Sequence, residues 1–169
     1  YDDEPIEAVF HSTAGGYTEA SENAFSSSRP YLKSVESNET EAPRYSGEKT
    51  VSRSTFASKI NGLCSSANLS ASRLEEQVSI LSRYASGRVE TVRVGEGTIT
   101  GKQLRTLFGL DSTNATLEFD GENVIIHTKG FGHGVGMSQT GADQMAREGS
   151  SYQEILKHYY TGVTLAKYW

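Results

Sequence analysis

The sequence predicts an α+β fold with mixed, mainly antiparallel strands and a few short helices, in a single domain spanning residues 1–169. Strand patterns and helix patterns follow one another without regular alternation, which disfavours a doubly wound parallel sheet. Two pairs of strand patterns are separated by short glycine-containing turns, and such turns join antiparallel neighbours. The length suits one domain with a sizeable core, and we expect this domain to be part of a larger one.

The first part of the chain predicts one strand and one short helix. Residues 6–11 are predicted to form a strand that carries His11 at its end. The helix is predicted to begin at Thr18, because threonine is a good N-terminal cap. Residues 30–35 are predicted to be extended, and the polar residues 36–48 to form a surface loop.

The next segment predicts a strand, a helix and a hairpin. Residues 49–53 alternate as in a strand, and residues 56–63 carry apolar side chains at helical spacing. Residues 64–73 are rich in serine, alanine and asparagine and predict no particular element. Residues 77–84 and 88–94 are predicted to pair as a hairpin.

A second hairpin and a short helix are predicted further along the chain. Residues 101–110 place their apolar side chains on one face of a helix. Residues 115–119 and 123–128 flank Asp120-Gly121, which is a strong turn signal.

The C-terminal part predicts two helices and a last strand. Residues 138–147 are predicted to be helical, with Gly149 just beyond the end. Ser151 starts a capping box, in which the serine and the glutamate three residues later bond to each other's backbone. Residues 163–168 are predicted to form a strand.

Composition argues against several classes of function. The formal net charge is −5 and no long basic run occurs, so a nucleic-acid partner is not expected. No apolar stretch approaches the roughly 20 residues that a membrane span needs. Cys64 is the one cysteine, which excludes an intramolecular disulfide and a cysteine-rich zinc site, and it is predicted to be partly buried. We expect no cofactor.

The sequence opens at Tyr1, without a methionine or a signal peptide, and runs almost at once into the first predicted strand. We therefore expect the chain to be the later part of a longer precursor, truncated at its N-terminus.

A dense run of glycines, Gly130–Gln139, is the most informative local pattern, and we call it the glycine loop. Glycine tolerates positive φ and close backbone approach, so such a run lets the main chain fold tightly around one point. His133 lies in the middle of the run. The pattern fits either a binding corner or a tight structural turn, and we weigh a ligand contact and a structural imidazole equally for His133.

A second polar segment, His11–Thr18, follows the first predicted strand, and we call it the first corner. Functional sites are often built where strands end. If the first corner and the glycine loop meet, they present two imidazoles, several hydroxyls and an amide. That inventory suits hydrogen bonding to a polyhydroxylated ligand.

Two sharper chemistries find little support in the sequence. A serine hydrolase would use Ser12 or Ser138, but no Gly-x-Ser-x-Gly nucleophile pattern occurs. A metal site built on His11 and His133 needs a further ligand, and no spacing signature supplies one. That ligand would have to come from Glu19, Glu22 or Asp143.

Carboxylate catalysis is also disfavoured. A glycosidase normally needs a carboxylic acid and usually a second carboxylate. Glu19 and Glu22 lie beside the first corner, but we expect them to be solvated residues that favour a helix N-terminus. His127 and His158 are predicted to be a strand-end residue and a helix-end cation without a functional role.

These segments resemble the stage II sporulation protein D (SpoIID-like) family, and the resemblance covers nearly the whole chain. The matching motifs are Phe10–Glu19, Pro30-Tyr31-Leu32, Gly101-Lys102 with Leu104-Arg105, Gly130–Gln139, and the downstream helix pair with Gly141-Ala142, Met145-Ala146, Gly149, Tyr152, Ile155-Leu156 and His158-Tyr159-Tyr160.

The resemblance implies a lytic transglycosylase that acts on peptidoglycan between N-acetylmuramic acid and N-acetylglucosamine and leaves a 1,6-anhydro end. It implies a preference for denuded glycan strands and a role in sporulation and engulfment. In this family one glutamic acid acts first as acid and then as base. That residue lies upstream of the segment matched here, so the resemblance places no catalytic residue, and no metal ligand, in this chain.

The resemblance also implies a substrate-binding wall, partners and a location. The implied substrate-binding residues are His11, Ser12, Thr13, Thr18, Tyr45, His133, Ser138 and Gln139. Partners would be peptidoglycan glycan strands, a cell-wall amidase and membrane-anchored sporulation proteins. The protein would be extracytoplasmic, at the cell envelope, from a membrane-anchored or secreted precursor. The alternatives are a non-catalytic peptidoglycan-binding or amidase-enhancing module and, with less support, a histidine–metal hydrolase.

Overall fold

A computed structural model of the chain describes residues 1–25 and 27–167. The strands are β1 (Phe10–His11), β2 (Gly16–Tyr17), β3 (Glu36–Ser37), β4 (Ser46–Ser52), β5 (Val78–Arg83), β6 (Val89–Val94), β7 (Gly97–Thr100), β8 (Ala115–Phe119), β9 (Asn123–Lys129) and β10 (Met137–Ser138). The helices are α1 (Ser21–Ala24), α2 (Arg53–Leu63), α3 (Leu74–Gln77), α4 (Gly101–Phe108), α5 (Gln139–Arg147) and α6 (Tyr152–Tyr159), with a 3-10 turn at Ala71–Arg73 before α3. The predicted α+β class is confirmed.

The chain divides into two compact units. The first unit combines Tyr1–Tyr45 with Gly130–Trp169, and the second unit is Ser46–Lys129. The assignment of residues 1–169 to one domain stays a prediction. Throughout the described residues the helices are too short or too polar to cross a membrane.

The described residues of the first unit form two pairs of short strands and three helices. Strand β1 pairs with β10 in parallel, and β2 pairs with β3 in the antiparallel sense. Helix α6 begins at the predicted capping box, in which Ser151 accepts from Glu154 N–H while the Glu154 carboxylate accepts from Ser151 N–H. The buried core of this unit is Tyr31, Leu32, Val135, Ile155, Tyr159 and Tyr160.

The second unit contains two three-stranded antiparallel sheets, ordered β4-β9-β8 and β5-β6-β7. Both predicted hairpins are present, β5 with β6 and β8 with β9. Helices α2 and α4 pack Phe56 and Phe108 in a stack, with ring centroids 4.9 Å apart. Cys64 is partly buried against this core, as predicted.

Several predicted boundaries are wrong. The first strand covers only residues 10–11, because Val9 N–H bonds locally to the Glu7 carbonyl instead of to a partner strand. The first helix begins at Ser21 and not at Thr18, whose hydroxyl is engaged elsewhere. The short strand β7 was not predicted. Residues 163–167 form no strand, and Tyr168, the last residue of that predicted strand, lies outside the described residues.

The predicted surface loop at residues 36–48 is also only partly correct. It contains β3 and the start of β4, and two of its polar residues, Ser37 and Glu39, are buried. Burial of a polar side chain requires hydrogen-bond partners, and those partners come from segments distant in sequence.

Candidate functional site: two corners joined by backbone pairing

The first corner and the glycine loop lie side by side within the first unit. Their backbones are joined by strand pairing at one end and by isolated bridges further along. The paired residues are His11 with Ser138, Thr13 with Phe131, and Glu19 with Val135. The expected meeting of the two segments is therefore present in the structure.

The glycines make this close approach feasible. Gly130 has φ +80°, and a Cβ at this position would lie 2.6 Å from the Ala14 carbonyl oxygen. Gly136 has φ +73°, and a Cβ there would overlap the Val9 carbonyl oxygen. Both positions combine a left-handed backbone with another stretch of backbone at contact distance, which only glycine accommodates without strain.

The two histidines bond to the backbone of one residue, Val135. The Nδ1–H of His11 donates to the Val135 carbonyl at 3.1 Å, and the Val135 N–H donates to Nδ1 of His133, also at 3.1 Å. A neutral His11 therefore carries its proton on Nδ1, and a neutral His133 carries its proton on Nε2. The backbone of the glycine loop thus fixes which ring nitrogen of each histidine is protonated.

The His133 ring is half-buried and the His11 ring is buried. The two ring centroids are 5.7 Å apart, and the Phe25 ring lies 5.6 Å from His133 on another side. Because Phe25 is itself exposed, His133 and Phe25 form a polar and aromatic patch at the surface of the first unit.

A buried glutamate, Glu39, connects the two segments. Its Oε1 accepts hydrogen bonds from the backbone N–H groups of Ala14 and Gly15, and its Oε2 accepts from the hydroxyls of Ser138 and Thr140. Sequence reasoning missed this residue. No local pattern distinguishes it from its neighbours in the polar segment, and the signal lies in contacts with residues 25 and about 100 positions away.

The structure brings together Ser12, Thr13 and Ser138, as expected. Their polar atoms mainly contact other protein atoms and not solvent. The Ser138 and Thr140 hydroxyls, which contact Glu39, also lie 3.2 and 3.0 Å from the Ser12 carbonyl. Thr13 and Ser138 are fully buried, and Ser138 also caps α5 by accepting from Gly141 N–H. Only the Ser12 side chain of these three is partly exposed.

Thr18 and Gln139 lie at opposite extremes of exposure. The buried Thr18 hydroxyl accepts from Val35 N–H at 2.9 Å and lies 3.2 Å from the Lys33 carbonyl, so it fastens the first corner to residues 33–35. Gln139 is the first residue of α5, and its side chain is exposed. A ligand role for both residues stays a prediction.

Tyr45 meets the glycine loop through its backbone. Its carbonyl accepts from Gly130 N–H at 2.7 Å, and its side chain is half-buried. The neighbouring Arg44 places its guanidinium 3.4 Å from the centre of the Phe131 ring. This cation–π contact adds a flat, partly exposed surface beside the glycine loop.

The two carboxylates considered as acids have different surroundings. Glu19 is buried, and its Oε1 accepts from Ala20 N–H at 2.9 Å and Asn23 Nδ2 at 2.8 Å, which orders the start of α1. The expectation that Glu19 is solvated is wrong, because this helix start turns inward. Glu22 is exposed, and the pKa of its carboxyl is lowered by a backbone hydrogen bond and by Lys33.

Among the described residues no group of three or more histidine, cysteine, aspartate or glutamate side chains is arranged to hold a metal ion. The first corner and glycine loop contribute two imidazoles, hydroxyls and backbone groups, which can orient a polar ligand by hydrogen bonds.

Comparison with known proteins confirms the resemblance inferred from the motifs. The chain is 36% identical over 168 residues to stage II sporulation protein D of Bacillus subtilis (strain 168), and 38% identical over 168 residues to the protein of that name from Bacillus amyloliquefaciens. Each match covers 99% of this chain and 47% of the relative. The chain therefore spans about half the length of these curated relatives.

A more distant relative carries a different name. The chain is 31% identical over 216 aligned residues to the amidase enhancer of Bacillus subtilis (strain 168), a match that covers 99% of this chain and 31% of that protein. No protein-family model matches the chain.

Proposed function

We propose that this chain forms the glycan-binding part of a peptidoglycan lytic transglycosylase that remodels the cell wall during sporulation. The observation that carries the proposal is the joining of the first corner to the glycine loop, in which Thr13 pairs with Phe131 and the Arg44 guanidinium lies over the Phe131 ring. Sugars offer many hydroxyl and carbonyl groups and apolar ring faces, so they suit a surface that combines hydrogen-bonding groups with aromatic rings. The similarity to two stage II sporulation D proteins supports this assignment.

The proton chemistry of the reaction is assigned to a residue outside this chain. Glu19 is buried and holds the start of α1, while Glu22 is exposed and pairs with Lys33. These contacts give both carboxylates a structural role. The partners in this proposal are glycan strands and a cell-wall amidase, and the location is extracytoplasmic, at the cell envelope.

The test combines binding with product analysis. The chain is incubated with purified denuded glycan strands, and binding is measured by sedimentation. His133→Ala is expected to weaken binding, whereas His127→Ala, which removes a histidine from the sheet of the second unit, is expected to leave binding unchanged. Equal binding by both variants would refute the assignment of the surface.

Product analysis tests the second part of the proposal. We expect no 1,6-anhydro ends from this chain alone. Their appearance would show that the acid lies within the chain, and Glu19→Gln and Glu22→Gln would then identify it.

A second candidate function rests on the amidase-enhancer relative. In that case the chain raises the activity of a cell-wall amidase without cleaving glycan strands itself. Amidase activity on intact peptidoglycan, measured with and without the chain, separates the two functions, because stimulation without any anhydro product from the full-length protein favours the enhancer.

A further inference from the structure

Glu39 is a buried carboxylate whose side chain bridges the two halves of the candidate site. Only 1% of the residue is exposed. Its Oε1 accepts from Ala14 N–H and, at 3.1 Å, from Gly15 N–H, both in the first corner. Its Oε2 accepts at 2.6 Å from the Ser138 hydroxyl and at 2.9 Å from the Thr140 hydroxyl, at the start of α5.

Glu39 offers a charged acceptor to all four of its donors, which an amide in its place could not do. Four donors point at the two oxygens, and a carboxylate is the side chain that accepts on both atoms and donates on neither. An amide keeps one acceptor oxygen, and its NH2 group can only donate. The Ser138 and Thr140 hydroxyls would then have to turn their protons to the Ser12 carbonyl and accept from the amide, and the stronger hydrogen bonds to a charged acceptor would be lost.

The same two hydroxyls that bind Glu39 also hold the first corner. The Ser138 and Thr140 hydroxyls lie 3.2 and 3.0 Å from the Ser12 carbonyl, between it and the carboxylate. The oxygen atoms of Glu39 and Ser12 therefore orient these hydroxyls from two sides. Loss of the carboxylate would remove the acceptor on one side of the two hydroxyls. It would also remove the hydrogen bonds that connect Glu39 to the first corner and to the start of α5.

We propose that Glu39 is a positioning residue for the ligand-binding surface. Together with the backbone pairing it sets the separation of the first corner from the glycine loop, and so holds His11 at the Val135 carbonyl and His133 at the Val135 N–H. The glycan-binding consequence rests on the proposed function, whereas the orientation of the two imidazoles depends on the geometry of this chain alone.

The test compares Glu39→Gln with Glu36→Gln, a matched change at an exposed glutamate of β3. Nitrogen-15 NMR of the histidine rings reports which nitrogen carries the proton. In the wild-type chain we expect His11 in the Nδ1–H form and His133 in the Nε2–H form. Glu39→Gln is expected to lose this pattern, and Glu36→Gln to keep it.

A third variant tests whether a general loss of stability could by itself change the histidine spectra. Ser112→Ala removes a buried hydrogen bond in the second unit and is expected to lower stability without changing the histidine spectra. If Ser112→Ala alters the spectra as Glu39→Gln does, the effect is general loosening and the proposal is wrong. Spectra of Glu39→Gln identical to wild type would also overturn it.

Binding to denuded glycan strands supplies the second readout. Glu39→Gln is expected to weaken binding by about tenfold or more, at a temperature where circular dichroism shows both proteins folded. If Glu39→Gln does not fold, Thr140→Val is the second variant, because it removes one of the four donors to Glu39. It is expected to change the histidine spectra and glycan binding in the same direction, but by less. Unchanged histidine spectra in Thr140→Val would contradict the proposal. A wild-type chain that binds no glycan would refute the proposed function, and the histidine spectra would still decide the role of Glu39.

Discussion

Replacing Gly141 by alanine tests how tightly α5 packs against the polar cluster behind the glycine loop. Gly141 is the third residue of α5 and is buried. A Cβ at this position would overlap the hydroxyls of Ser37 and Tyr159 and would lie 2.9 Å from Glu39 Oε2. Ser37 and Tyr159 are hydrogen-bonded to each other at 2.8 Å, so the new methyl group displaces this pair.

The magnitude follows from three contributions. Alanine is the better helix former, which stabilises by up to about 1 kcal/mol. Against this, overpacking costs about 1–3 kcal/mol. A buried Tyr159 hydroxyl without its Ser37 partner costs about 1–3 kcal/mol more. Tyr159 is 1% exposed and its ring is rigid, so it has little room to move away. We expect Gly141→Ala to lower the free energy of unfolding by about 2–4 kcal/mol.

Gly62→Ala is the matched control. Gly62 also lies in a helix, α2, and a Cβ there meets no atom within 4 Å. The same substitution should therefore raise the free energy of unfolding there, by up to about 1 kcal/mol. Urea unfolding followed by circular dichroism measures both changes. A Gly141→Ala protein as stable as the wild type would refute the packing that the structure assigns to α5.

Three further changes probe other parts of the chain. Ser112→Ala removes the acceptor 2.7 Å from the buried Arg88 guanidinium and should cost about 1–3 kcal/mol of unfolding free energy, and an unchanged urea midpoint would contradict this. Ser151→Ala removes the N-terminal cap of α6 and should cost about 1 kcal/mol, which hydrogen exchange of the first-turn amides would report. Burial raises the pKa of Tyr159 above its ordinary value of 10.0, with the negative charge of Glu39 as a smaller cause in the same direction. Above about pH 10 the unfolded chain loses this phenolic proton while the folded chain still keeps it. The contribution of Tyr159 to the free energy of unfolding is therefore fully present below about pH 10 and is lost as pH rises through the folded-state pKa. Tyr159→Phe should therefore show a shallower loss of stability between pH 9 and pH 12 than the wild type, and parallel pH profiles would argue against it.

Elements with short-range signals were predictable from the sequence. The turn at Asp120-Gly121 and the capping box at Ser151 lie within a few residues of the structure they determine, and both are present. The pairing of the first corner with the glycine loop was expected only as a possibility, because the paired residues are more than 110 positions apart. Its confirmation required the three-dimensional structure.

Glu39 and Thr18 show why the rest of the site was not predictable. Each is a polar residue in a polar segment, and sequence composition places such residues at the surface. Their burial depends on partners supplied by other segments: Ser138 and Thr140 for Glu39, and the backbone near Val35 for Thr18. No periodicity or local motif encodes those contacts.

The division of the first unit into two stretches of chain has a consequence for how the site folds. Bringing together ends separated by a long flexible loop costs conformational entropy that grows with loop length. Here the intervening stretch is itself a compact unit, and its terminal residues Ser46 and Lys129 are direct partners in the β4–β9 ladder. Once that ladder has formed, Tyr45 and Gly130 are held next to each other. Closure of the candidate site then becomes a short-range folding step between two neighbouring segments. Mutations that weaken the β4–β9 pairing near Ser46 and Lys129 should slow this step, although they change no residue of the site.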